Sequence, residues 1–115
     1  MDLVIKAHEK REIERVLAII ELGLLTALES DSIGIEEAEG YLFNPYTMRK
    51  MQECNVSSEL IDIVHLGSEL EDIQSLMPDK LKENILSLKE KCIDVLNKLE
   101  EPDIPTSKLI QEIHP

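Results

Sequence analysis

The stretch Ile13–Pro45, IERVLAIIELGLLTALESDSIGIEEAEGYLFNP, decides how the chain is read. In its first half Ile13, Val16, Leu17, Ile19, Ile20, Leu22, Leu24, Leu25, Ala27 and Leu28 leave no consistently polar side. A helix of that kind belongs in the middle of a bundle, with other helices around it. The expected fold is therefore all-α: about four to five helices around a central apolar helix at residues 8–29, in a single domain spanning 1–115. The second half reverses character. Glu36, Glu37 and Glu39 run directly into Tyr41, Phe43 and Tyr46, which are all the aromatic residues of the chain. A buried helix leading into an acidic, aromatic patch reads as a scaffold that presents a binding surface.

Upstream, Leu3–Lys6 suits a short strand or an extended arm; without an evident second strand to pair with, it reads as an arm or as the first turn of the long helix. Downstream, Ser30, Asp31, Ser32 and Gly34 form a turn between the anchors Ile33 and Ile35. A short helix follows from Glu36 to Phe43, its glutamates in the first turn where the helix dipole favours anions. Pro45 ends that helix and opens the next, to about Glu53. After a turn at Asn55–Ser58, with Ser57 or Ser58 as cap, an amphipathic helix runs to about Met77. Its stripe is Leu60, Ile63, Val64, Leu70, Ile73 and Met77, with Gly67 placed for close helix packing. Pro78 opens a last long helix with the stripe Leu81, Ile85, Leu88, Cys92, Val95, Leu96 and Leu99. Pro102 and Pro105 bracket a linker, after which Thr106 or Ser107 caps a terminal helical turn carrying Leu109, Ile110 and Ile113. Of the three aromatics, two are expected in the core and one tyrosine at a rim, as an interface anchor.

The chain has 115 residues, 43% of them hydrophobic, enough to build a core without disulfide or metal staples. Cys54 and Cys92 lie in no metal or redox spacing and read as reduced thiols. The N-terminal MDLVIKAHEKREIER has none of the parts of a secretion signal, and Glu14, Arg15 and Glu21 interrupt the apolar run, so a cytoplasmic location is expected and no membrane span. The net charge of −12 opposes binding to nucleic acid or to an anionic membrane surface. That charge is local: residues 29–76 hold eleven acids and two bases, or −9 of the −12. Like charges this dense cost stability, which favours a role in steering a basic protein partner.

Motifs for chemistry are absent from the sequence. The turn before Glu37 resembles the end of a calcium loop, but a loop in that register would begin at Leu28 and lacks its earlier ligands. Asp62, His65 and Glu69 share one helix face; without a second such set, His65 reads as pairing with Asp62 or Glu69 rather than holding metal. Neither cysteine has a histidine near it in sequence, and no phosphate-binding or nucleophile signature is present. The expectation is a protein that is not an enzyme and needs no cofactor or metal.

Three stretches carry a resemblance: Gly23–Leu28 (GLLTAL), Ile35–Tyr46 (IEEAEGYLFNPY) and Glu59–Ile73 (ELIDIVHLGSELEDI). Through them the chain, over most of residues 10–100, looks like small bacterial helical proteins that resemble the immunity proteins of contact-dependent growth inhibition systems. Such proteins are encoded beside polymorphic toxins and block a nuclease toxin domain. The resemblance implies a cognate toxin domain as partner, a ribonuclease before a deoxyribonuclease, with inhibition by covering its basic surface. It assigns no residue roles. On charge and pattern alone, the partner-binding candidates are Glu36, Glu37, Glu39, Tyr41, Tyr46, Asp62, Glu69, Glu71 and Asp72. The rival expectation is a self-associating helical bundle, a homodimer with an exposed apolar stripe on the Pro78 helix or the terminal segment.

Overall fold

The computed structural model describes residues 1–114. In chain order the elements are strand β1 (Asp2–Ile5), helices α1 (Lys10–Glu29), α2 (Ile35–Tyr41), α3 (Pro45–Glu53), α4 (Ser58–Ser68) and α5 (Leu70–Leu76), a 3₁₀ turn at Pro78–Lys80, helix α6 (Leu81–Lys98) and strand β2 (Ile110–His114). The protein is mostly helical, but the expectation of an all-α fold is corrected: the two ends of the chain meet in an antiparallel two-stranded sheet. Ile110 and Ile113, expected on a terminal helical turn, belong to its second strand.

The long helices α1 and α6 lie antiparallel, and basic side chains from each finish the other's carboxyl end. Arg15 donates to the carbonyl of Leu99 at 2.9 Å and Lys82 to the carbonyl of Glu29 at 2.8 Å. Cations there meet carbonyls that the helix itself leaves unpaired. Helix α4 packs on both, and Ala18, Leu25, Leu60, Ile63, Val64, Ile85, Cys92 and Val95 form the shared core.

α1 is not the fully surrounded apolar helix that its composition suggests. It buries one stripe, Glu14, Ala18, Glu21, Leu25 and Leu28, while Ile19, Gly23 and Thr26 face water. The short helices α2, α3 and α5 do not complete a shell around it. The buried stripe also includes two glutamates. Glu21 is wholly buried, and neither of its carboxyl oxygens has a hydrogen-bond partner among the described residues. Burial pushes its pKa up to about 9, so it sits in the core as a neutral acid. Cys92, whose thiol donates to the carbonyl of Ala18 at 3.3 Å, is pushed up to about 12, first by burial and then by Glu21. Both cysteines are free.

Glu14 has a partner. Its Oε2 accepts from the backbone N–H of Ser57 at 2.7 Å. The cap of α4 therefore comes from α1, across 43 residues, while the Ser57 side chain makes no capping bond. At the other end of α4, Ser68 donates to the carbonyl of His65 at 2.6 Å, and the N–H of Glu69 turns to Leu66 instead. That local competition splits the expected single helix 58–77 into α4 and α5.

Candidate functional site

α2 and α5 are both short, and the packing of one on the other brings together carboxylates that lie more than thirty residues apart in sequence. Glu36 and Glu39 come from α2, Glu71 and Asp72 from the first turn of α5. Glu39 is at the centre of this group. It is half-buried, and its Oε1 is closed off from solvent without a hydrogen-bond partner. Its pKa is raised, first by desolvation, then by the charge of Glu71 and a hydrogen bond with the Glu71 carboxyl, then by Glu36 and Asp72.

Local chemistry fixes the backbone under this patch. Asn44 caps α3 by accepting from the N–H of Thr47 at 2.9 Å, and its amide donates back to the carbonyl of Glu39 at 2.7 Å. Phe43, between α2 and α3, is buried against Gly67 of α4. The carboxyl end of the short α2 is therefore held by α3 and α4, and so is the direction of its glutamates.

Of the three aromatics, Phe43 alone enters the core. Tyr41 and Tyr46 are both exposed, so the expectation of two buried rings is corrected. Leu42 and Phe43 fill the inward positions of this turn and leave the tyrosine rings on either side in water. Tyr41 donates to Glu37 Oε2 at 2.9 Å, which holds its hydroxyl pKa above the ordinary range. Lys50 stands over the Tyr46 ring, 5.5 Å from its centroid.

The remaining candidates lie apart. Asp62 is exposed on α4, and Glu69 pairs with His65 at 2.9 Å and lines a shallow groove toward α6 with Leu66, Asn84 and Ser87. The structure thus joins Glu36, Glu39, Glu71 and Asp72, places Glu37 and Tyr41 in contact nearby, and leaves Asp62 and Glu69 outside the group. Among the described residues no three His, Cys, Asp or Glu side chains converge as a bound metal ion would require.

Ion pairing separates structural acids from the rest. Glu29 pairs with Lys89 and Asp31 with Lys82, both at 2.8 Å, and these clasp the end of α1 to α6. Glu53 pairs with Lys50 and Glu69 with His65. Of the eleven acids in residues 29–76, seven have no basic side chain within pairing distance among the described residues: Glu36, Glu37, Glu39, Glu59, Asp62, Glu71 and Asp72. All of them except Glu59 are acids that charge and pattern select as partner-binding candidates. Sequence reasoning missed Glu14 and Glu21, because a carboxylate on a helix is expected to face water.

The family whose description is "Protein of unknown function (DUF3969)" matches residues 8–111. The chain belongs to that family. No curated protein and no solved structure matches the chain. The match covers every helix of this DUF3969 protein, the acidic patch included, and leaves β1 outside it. Among the described residues no helix is long and apolar enough to cross a membrane.

Proposed function

We propose that this protein is a non-catalytic inhibitor that covers the basic surface of a partner protein with the acidic patch on α2 and α5. The resemblance to immunity proteins makes the partner a nuclease toxin domain, met in the cytoplasm, and a ribonuclease in particular. One observation carries the reading: Glu36, Glu39, Glu71 and Asp72 are held together, and no basic side chain among the described residues pairs with any of them. Folding keeps these four carboxyls close at a cost in repulsion that a cationic partner would relieve. Arg or Lys side chains that normally grip phosphates would pair with them and be lost to substrate. Tyr41, exposed beside the patch and oriented by Glu37, supplies an aromatic anchor of the kind enriched in binding hot spots.

The test is to read the neighbouring genes for a large secreted protein and to co-express its C-terminal domain with this chain. Wild-type chain restores growth and the triple variant Glu36→Lys, Glu71→Lys, Asp72→Lys does not. Equal protection by that variant, or none by the wild type, removes the inhibitor reading.

A further inference from the structure

The sheet at the chain termini is built in a way the helical domain does not require. Its register pairs Asp2 with His114, Leu3 with Ile113, Val4 with Glu112 and Ile5 with Ile110, so Gln111 is an extra residue bulged out of β2. Cross-strand partners share a face, and alternate residues of a strand share a face. Leu3, Ile5, Ile110 and Ile113 therefore stand together on one side, and Asp2, Val4, Glu112 and His114 on the other. Without the bulge, Ile110 and Ile113, three apart, would point to opposite faces. A hydrogen bond of 2.9 Å between His114 and Glu112 marks the polar side.

The apolar side is in water. Leu3 is 59% exposed, Ile5 46%, Ile110 54% and Ile113 63%, and neither strand packs broadly on a helix. A two-stranded sheet alone is marginal and needs a further layer on its hydrophobic face. We infer that the layer is the same face of a second copy of this chain, with the two sheets stacked across a two-fold axis.

Charge selects that occupant. Residues 1–8 and 104–114 contain two acids, Asp2 and Glu112, and two basic side chains, Lys6 and Lys108, so the whole −12 is carried by residues 9–103. Repulsion between two copies of so acidic a molecule is least where local charge vanishes, and the sheet is such a place. β1 leads into the start of α1 and α2 follows its end, and the 20 residues of α1 span about 30 Å, well over a Debye length, so repulsion between patches is weak in such a dimer. A basic partner would find nothing to pair with on this face. The four aliphatics leave roughly 400 Å² of apolar surface per copy in water. Stacking two such faces buries at most about 800 Å², under the ~1,200 Å² of a standard stable interface, so the contact belongs to the weak, reversible class. This interface is independent of the acidic patch and stands or falls apart from the inhibitor reading.

Sedimentation equilibrium of the full chain from 10 to 500 µM, at 50 and 500 mM NaCl, tests it. The expected result is a monomer–dimer equilibrium that tightens several-fold at high salt, because salt screens the mutual repulsion of two anionic chains. Ile113→Lys weakens it about tenfold or more, whereas Val4→Lys, on the opposite face, leaves it unchanged. In the unaltered chain, NMR methyl signals of Leu3, Ile5, Ile110 and Ile113 move with concentration, which reports the face without any substitution. A monomer at 500 µM, a dimer that survives Ile113→Lys, or equal loss in Val4→Lys overturns the proposal. So does a monomer that floats with phosphatidylcholine vesicles, which would give the face to a lipid surface.

Discussion

The ring of Phe43 lies on the bare Cα of Gly67, so close that a methyl group there would stand 2.7 Å from Cγ and 2.9 Å from both Cδ atoms. The contact fixes the α2–α3 junction to α4 and with it the height of the acidic patch above the core. A helical glycine replaced by alanine ordinarily gains up to ~1 kcal/mol. Here the rigid ring must move, and overpacking costs about 1–3 kcal/mol. Gly67→Ala is expected to destabilise the protein by about 1–2 kcal/mol in urea unfolding. Gly23→Ala is expected to do the reverse, since a Cβ on that exposed helical glycine meets nothing within 4 Å. Opposite signs for one substitution at two helical glycines would establish the Phe43 contact as the cause.

Glu21 sets a pH dependence. Its carboxyl is raised to about 9 in the fold against an ordinary value of 4.5. Below 4.5 the group is protonated folded and unfolded, and carries no penalty for its charge. From 4.5 to 9 the unfolded chain releases a proton that the folded chain keeps, so stability falls as pH rises, by up to ~1.4 kcal/mol per pH unit from this group. Glu21→Met removes both the titration and two unsatisfied oxygens. The variant is expected to be more stable by several kcal/mol at about pH 8 and to lose most of the wild type's decline between about pH 5 and 9. Urea unfolding at a series of pH values measures both.

The Glu14 carboxylate is the cap of a helix that belongs to another part of the chain. Glu14→Ala leaves the Ser57 N–H without its partner in a half-buried position. The expected cost is about 1–2 kcal/mol, and hydrogen exchange should show the first turn of α4 opening ahead of the rest.

The helices were legible because their signals are local. The Pro45 start and Glu53 end of α3, the stripe from Leu60 to Leu70, and the stripe from Ile85 to Val95 are all as the spacing predicts. The sheet was not, for two physical reasons. Leu3 and Ile113 are 110 residues apart, so neither strand could name its partner. The bulge at Gln111 then put Ile110 and Ile113 at a spacing of three, which imitates a helical turn. Counting charge located the acidic region, but contact between Glu39 and Glu71 depends on how α2 packs on α5, and no periodicity within either helix contains that. Asp62 and Glu69 share the composition of the patch without sharing its place.

The acidic patch links stability and binding with opposite signs. Glu71→Lys puts a cation beside Glu39, whose pKa is raised in part by Glu71, and relieves Glu36 and Asp72 at the same time. At an exposed position that relief is worth roughly 0.5 kcal/mol, and it shrinks as salt rises. The variant should therefore unfold at slightly higher urea than the wild type in low salt. If the patch serves a basic partner, the same change should slow association several-fold and make it less sensitive to salt, because a cation now stands among the carboxylates that steer the encounter. Thermal and urea unfolding give the first quantity, and stopped-flow binding to the cognate domain at two ionic strengths gives the second. A Glu71→Lys chain that is both more stable and an undiminished inhibitor would mean that the clustered carboxyls serve no partner.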